Sequence, residues 1–353
     1  MRAFAVIMMI QGHTIDTFLA NEYRTMDSAF YSVWHTMRGF TAPIFMFTAG
    51  MIFTYLLKPN HFRLTKNPRI IKGIKRAFLL IGIGYFLRYP TYKIFDFSNV
   101  SQKQWDIFFS VDALHLIGFG MLVIIFSAIL AKRAHLNFKI ILYTLIISLL
   151  LFSPIVSNIA WKNFLPQYIS SYFTKSYGSL FPIFPWLVYV LAGALLGDYL
   201  YKNEGIYLKK RFSFSLLTLG GGLLLTSFFF FSLEASVEAE MSYWFSSTGI
   251  VFLRIGYVIL ISGVMAFVVR KAKVIPEIVK ETGRKTLLLY VIHIIILYGC
   301  AWFPGLYNYY SKTFTPMESV IAVILMIGLM LSIVQFSEKI NIYEKLKLVL
   351  NKV

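Results

Sequence analysis

Apolar runs long enough to cross a lipid bilayer recur along this chain of 353 residues. A membrane-spanning helix needs about 20 mostly apolar residues, because in hydrocarbon every backbone polar group must be hydrogen-bonded within the segment. With 58% hydrophobic and 14% charged residues, the chain also lies outside the range of soluble domains. We therefore expect an all-α, polytopic membrane bundle of about ten transmembrane helices, forming one domain over residues 1–353. The runs cover about 3–20, 38–57, 74–91, 110–131, 140–158, 182–201, 213–232, 249–269, 286–303 and 317–336.

The net charge of +18 has a simple explanation in a membrane protein. Most of the 34 lysine and arginine residues fall at the N-terminus, in alternate connections such as 58–76 and 270–285, and after residue 339. Positive residues favour the cytoplasmic side, so this alternation predicts cytoplasmic N and C termini in a multi-pass protein of the plasma (inner) membrane. The lipid bilayer, and not nucleic acid, is the expected partner. Cys300 is the only cysteine, which excludes an internal disulfide.

The first run carries a polar stripe on one helix face. Arg2 and His13 are eleven residues apart, which is three helical turns plus about 20°, and Asp16 lies about 40° to the other side. Arg2 and His13 are separated by about 16 Å along the axis, half of the hydrocarbon thickness. Intramembrane ionisable residues are functional candidates, although Arg2 can also flank a span and the other two can be satisfied polar groups.

Further ionisable side chains lie within or at the ends of other runs. Asp112 and His115 are three residues apart, as are Tyr290 and His293, so each pair shares a helix face. A carboxylate beside an imidazole suits a general base, but the first pair can equally be a helix cap and the second a buried hydrogen-bonded pair. No cluster has metal-ligand spacing, so we expect no metal. Arg38, Arg88 and Arg254 also lie within or at the ends of these runs.

Prolines and glycines mark the sixth run. Pro182 and Pro185 open it, and Trp186 follows directly. Proline in a first helical turn loses no hydrogen bond, and glycines four residues apart, Gly193 and Gly197, allow close helix packing. The run of glycines 220–222 is interpreted in the same way, as close packing or a kink.

These motifs, in this order, resemble the membrane acyltransferases related to heparan-α-glucosaminide N-acetyltransferase and, more distantly, the acyltransferase-3 family. The resemblance extends over nearly the whole chain, and no single motif carries it alone. It rests on the Arg2 to His13 spacing, residues 38–50 (RGFTAPIFMFTAG), 112–118 (DALHLIG), 182–186 (PIFPW) with Gly193 and Gly197, and 283–293 (GRKTLLLYVIH).

The resemblance implies transfer of an acyl group, usually acetyl from acetyl-CoA, to a hydroxyl or amine of an envelope glycan or glycolipid on the extracytoplasmic side. His13 is expected to act as general base or covalent acyl carrier, oriented by Asp16, with Arg38 or Arg88 stabilising the oxyanion. We expect acyl-CoA binding by Arg2, Lys75, Arg76, Tyr290 and His293. We expect acceptor binding by His35, Asp112, His115, Trp186 and Arg254.

The chain departs from the family pattern at three places. The proposed active histidine of the glucosaminide acetyltransferases aligns near Ala29, and the nearest histidine is His35. The family carries an acidic residue shortly before the proline that corresponds to Pro43. This acidic residue is missing here, and Gly39 lies close to its place. Relatives also carry a polar segment before the arginine, so we expect the native start to lie upstream of Met1. These departures favour the acyltransferase-3 pattern centred on His13 over a covalent acyl-histidine at His35.

Two other functions are compatible with the same residues. A transporter or flippase can use His13, Asp16, Arg88, Asp112 and Arg254 as a proton or anion pathway. A binding or regulatory membrane protein can keep the fold without catalysis. Saturable binding of acetyl-CoA that weakens when the charge of Arg2 is removed would count against the transporter hypothesis. Acyl transfer or acyl-CoA hydrolysis by the wild-type protein would exclude a purely binding or regulatory function. The acceptor, the acyl length and the oligomeric state are not determined by the sequence.

Overall fold

The computed structural model describes residues 1–59, 67–236, 247–272 and 274–339. This part of the chain is all-α apart from one short hairpin, Gly299–Cys300 paired with Phe303–Pro304. The helices are α1 Arg2–Phe18, α2 Ala29–Arg38, α3 Thr41–Leu57, α4 Pro68–Leu87, α5 Gln102–Phe109, α6 Ala113–Arg133, α7 Phe138–Asn158, α8 Gln167–Ser170, α9 Ile183–Lys202, α10 Lys210–Ser236, α11 Thr248–Lys271, α12 Glu277–Arg284, α13 Thr286–Tyr298, α14 Tyr307–Tyr310 and α15 Pro316–Lys339.

Seven helical stretches among the described residues are long and apolar enough to cross a membrane. They are Ala29–Leu57, Ala113–Arg133, Phe138–Asn158, Ile183–Lys202, Lys210–Ser236, Thr248–Lys271 and Pro316–Ser337. The other three predicted spans coincide with α1, α4 and α13, which are shorter or carry more charge. The all-α, multi-pass membrane class is confirmed, whereas the count of ten and the orientation of the termini stay predictions.

Several boundaries differ from those expected. The stretch 20–37 was expected to be a connection, but it contains α2, whose start is capped by the Ser28 side chain. Arg38 therefore ends α2 and does not open α3. The ninth run was expected to continue to 303, but α13 ends at Tyr298 because Gly299 has φ of 81°, a left-handed value that interrupts the helix.

Contacts divide the chain into two compact units, one formed by Met1–Thr41 with Lys273–Val353 and the other by Ala42–Ala272. In the first unit, α1 packs against α12, α13 and α15. The end of α1 is also joined to the segment before α15, because the backbone N–H groups of Lys312 and Phe314 donate to the carbonyls of Thr17 and Phe18 at 2.9 and 2.8 Å. This connection fixes the end of the helix that carries His13.

The second unit is built around α6 and α9, which are buried on nearly all sides, as expected of central helices. Helices α10 and α11 pack side by side, and the Glu234 carboxylate at the end of α10 accepts hydrogen bonds from the first backbone N–H groups of α11. The buried Asp198 at the end of α9 pairs with Lys202 at 2.8 Å.

Glycines bring α3 and α9 into backbone contact. A Cβ atom placed on Gly193 would lie 1.9 Å from the Phe47 carbonyl oxygen, and one on Gly50 would lie 2.0 Å from the Val190 carbonyl oxygen. Gly197 makes the same kind of approach to Met51. We call this contact the glycine seam, and it confirms the predicted packing role of Gly193 and Gly197.

Candidate active site

His13 contacts two aromatic side chains of α13. Its Nδ1 lies 3.2 Å from the Tyr298 hydroxyl, and the two rings meet edge to face with centroids 5.7 Å apart. The ring of His293 lies on another side, with its centroid 5.5 Å from that of His13. The candidate base is therefore held by side chains nearly 300 residues away in the chain. His13 itself remains partly exposed, as a group that must reach a substrate requires.

The tautomer of His293 is determined by its backbone contact. Nδ1 lies 2.7 Å from the Leu289 carbonyl oxygen, so this nitrogen carries the proton and donates it. His293 is 0% exposed, and its Nε2 has no hydrogen-bond partner in the described part of the chain. The ring of Tyr290 meets it edge to face at 5.7 Å. A second acceptor nitrogen is thus buried beside the candidate base.

Asp16 lies between two arginines. Its carboxylate forms an ion pair with Arg38 at the end of α2 and a second, 3.4 Å pair with Arg24. The guanidinium of Arg24 also donates to the carbonyl of Asp16 at 2.7 Å. Tyr298 contacts Nδ1 of His13, and the Asp16 carboxylate pairs with Arg38, so the role of Asp16 in orienting His13 stays a prediction. The Arg38 side chain packs over Gly12, one residue before the candidate base.

The residues expected to bind acyl-CoA belong to both compact units. Arg2 opens α1 beside α12, where its Cβ lies 3.7 Å from a Cβ built on Gly283. Lys75 and Arg76 lie on α4, in the other compact unit. His293 lies beside His13, further along α1 than Arg2, and the ring of Tyr290 meets that of His293. The assignments to acyl-CoA stay predictions.

Asp112 and His115 form a buried helix cap in the second unit. The Asp112 carboxylate accepts from the backbone N–H groups of Leu114 and His115 and contacts His115 Nδ1 at 2.7 Å. Arg88 approaches the same carboxylate at 3.9 Å and donates to the Ser110 carbonyl at 2.9 Å. His115 is 0% exposed.

This geometry matches the cap alternative for the pair. The roles predicted for Asp112 and His115 in acceptor binding and for Arg88 in oxyanion stabilisation remain predictions. His35 lies on α2 of the first unit, with its ring 5.8 Å from that of Tyr31, and it also remains a predicted acceptor contact.

Trp186 and Arg254 do meet within the second unit. The guanidinium carbon of Arg254 lies 4.9 Å from the centroid of the indole ring, and both side chains are buried. Within the described ranges, no group of three or more histidine, cysteine, aspartate or glutamate residues has the arrangement of a metal site.

The sequence did not identify two contributors to the site on α1. Tyr298 lies in the apolar run 286–303, and Arg24 lies in the connection between the first two runs. The signal available for Tyr298 was a phenol placed directly before a glycine that ends a helix. Nothing in the local sequence of Arg24 indicates that it folds back onto Asp16, eight residues earlier.

These helices define a polytopic membrane protein, and α1 carries His13 and Asp16, the latter paired with Arg38 of α2. The sequence model of the catalytic domain of heparan-alpha-glucosaminide N-acetyltransferase matches residues 1–233, more than half of the chain. The chain therefore belongs to this family of membrane acetyltransferases, which use acetyl-CoA, and the resemblance drawn from the motifs is confirmed. Comparison with curated proteins and with solved structures finds no match. His293 and Tyr298 lie beyond the matched residues.

Proposed function

We propose that the chain transfers an acetyl group from acetyl-CoA to a hydroxyl or amine of an envelope sugar or glycolipid, with His13 as general base. The observation that carries this proposal is the contact of His13 with Tyr298, beside the ion pair of Asp16 with Arg38. In this proposal the chain is a single domain of ten spans in the plasma membrane, with both termini cytoplasmic and the acceptor outside.

In this proposal His13 donates its Nδ1 proton to Tyr298, which sets the tautomer of the ring. When His13 Nδ1–H donates to the phenol oxygen, the lone pair of Nε2 is available to accept a proton. The acceptor O–H or N–H gives its proton to Nε2 while its oxygen or nitrogen attacks the thioester carbon. The tetrahedral intermediate then expels the CoA thiolate, which takes the proton from His13 and leaves as the thiol.

Arg38 is the group best placed to stabilise the oxyanion of that intermediate. It lies next to α1 one residue from His13, and its ion pair with Asp16 holds the guanidinium there before the substrate binds. Donors fixed in advance stabilise developing negative charge without reorganisation in the transition state. Arg2, about 16 Å along the same helix, is proposed to bind the CoA phosphates, since this separation suits an extended pantetheine arm.

The test is the replacement of His13 by alanine in a strain that lacks the native gene. Mass spectrometry of surface glycans from cells that make the wild-type chain should show acetylated species, and cells that make His13→Ala should lack them. His135→Ala is the matched control, because His135 lies in the connection between α6 and α7 and is not among the residues proposed for catalysis or binding. Unchanged acetylation in His13→Ala, with the protein present in membranes, would refute the proposed role.

A further inference from the structure

Arg254 is a buried cation within a membrane-spanning helix of the second unit. It lies on the second turn of α11, is 2% exposed, and covers the indole ring of Trp186 at 4.9 Å. A charge inside a membrane bundle is costly and is retained where it serves a function. The cation–π contact with Trp186 offsets part of the free-energy cost of burying this charge. It involves only the face of the guanidinium that lies over the indole ring.

Trp186 presents a donor at the same place. It is 4% exposed, and its indole N–H has no hydrogen-bond partner among the described residues. A buried tryptophan normally finds an acceptor for this group. Tyr189 lies one turn further along α9, with its ring 5.5 Å from that of Trp186, and it interacts electrostatically with Arg254. The indole N–H of Trp186 donates and does not accept, so an added acceptor would complete it.

Lys175 brings a second cation to this cluster from the connection before α9. It is half-buried, and burial together with the charge of Arg254 lowers the pKa of its amine to about 7. The fold therefore holds two basic groups close enough to repel each other. Repulsion of this kind is relieved when an anion binds between or beside the two groups.

We propose that Arg254, Trp186 and Lys175 form a binding site for an oxyanion, a phosphate or a carboxylate, carried by a ligand of this protein. The guanidinium and the indole N–H supply directed hydrogen bonds, and Lys175 supplies a mobile charge at the end that is more exposed. The site is one of binding, because the guanidinium of Arg254 and the indole of Trp186 do not accept a proton. Its definition does not depend on the role of His13, and it can be tested without any acetylation assay.

The experiment is a calorimetric titration of the purified full chain in a maltoside detergent, which contains no phosphate. The ligands are inorganic phosphate, glucuronate and acetyl-CoA, and a parallel sample holds the chain in nanodiscs with or without phosphatidylglycerol. The source of the anion is identified by which ligand binds most tightly. Saturable binding by any of them that is lost in the variants below supports the site.

Three variants and one control separate the site from general attraction to a basic surface. Arg254→Gln should weaken binding by about tenfold or more, as for a lost charge-assisted hydrogen bond, and Lys175→Gln by about threefold to tenfold. Trp186→Phe keeps the ring but removes the N–H, and it should weaken binding by about fivefold. Lys162→Gln, an exposed lysine of the same connection, should bind as the wild type does.

Two results would overturn the proposal. One is the absence of saturable binding by all of the anions to the wild-type chain. The other is an equal loss of affinity in Lys162→Gln and Lys175→Gln, which would indicate unspecific screening. If Arg254→Gln fails to fold, the comparison of these two lysine variants still decides, because both lie in a connection outside the predicted spans.

Discussion

Replacement of Gly193 by alanine should destabilise the protein through the glycine seam. The new Cβ would lie 1.9 Å from the carbonyl oxygen of Phe47 on α3. Ordinary contact requires about 3.5 Å, so α3 and α9 must separate by about 1.5 Å along this direction. The atom met is backbone, and no change of rotamer can move it aside. We expect the free energy of unfolding to fall by about 3 kcal/mol or more, which is the upper end of the range for overpacking substitutions.

Gly222→Ala is the matched control, because it adds the same methyl group to a helix interior. A Cβ at Gly222 on α10 would meet nothing within 4 Å. Alanine is the better helix former by about 0.8–1.0 kcal/mol, so this variant should be slightly more stable than the wild type. The two substitutions are identical in chemistry and should act with opposite signs.

The assay is the fraction of monodisperse protein that survives heating in detergent, measured by fluorescence-detected size-exclusion chromatography. For a domain of this size, about 2–4 °C is lost per kcal/mol, so Gly193→Ala should lower the apparent midpoint by about 6–12 °C. Gly222→Ala should raise it by about 2–4 °C. If Gly193→Ala were as stable as the wild type, or less damaging than Gly222→Ala, the backbone contact between α3 and α9 would be refuted.

Three further predictions concern the polar clusters. Tyr298→Phe removes one hydrogen bond from His13 and should lower kcat for acetyl transfer about fivefold, whereas Tyr307→Phe, a neighbouring ring at 6.0 Å, should leave it unchanged in the same assay. Asp16→Asn removes the charge that holds Arg38 and should lower kcat about tenfold or more with little change in KM for acetyl-CoA; a change in KM alone would contradict the positioning role. Amine labelling of Lys175 across pH should show a midpoint near 7, and Arg254→Gln should move it upward because a neighbouring positive charge is lost; a midpoint that does not move would contradict the electrostatic coupling.

The parts of the fold that follow from local pattern were predictable. Helical periodicity placed Arg2 and His13 on one face of α1, and the glycine spacing predicted the close contact of α9. Both signals are short-range, since they depend on residues within one helix. The helix α2 was missed because it is only 10 residues long and its start depends on a single capping serine, Ser28.

The environment of His13 was less predictable, because it is created by tertiary packing. Tyr298 and His13 are 285 positions apart, and no periodicity within either helix indicates that they meet. The family resemblance implied that Asp16 orients His13, but its carboxylate pairs with the charged guanidinium groups of Arg24 and Arg38. The sequence identifies the reactive residue types, whereas their partners depend on which helices pack together.

The ion pairs of Asp16 leave an imbalance of charge beside His13. One carboxylate faces two guanidinium groups, those of Arg24 and Arg38, so this cluster carries a surplus of one positive charge in the resting protein. On the proposed reaction this surplus lies beside the oxyanion of the tetrahedral intermediate, while the proton lost by the acceptor resides on His13. The total charge of the site is unchanged, but its distribution changes, and the fixed guanidinium groups favour the separated charges of the transition state over the neutral substrates.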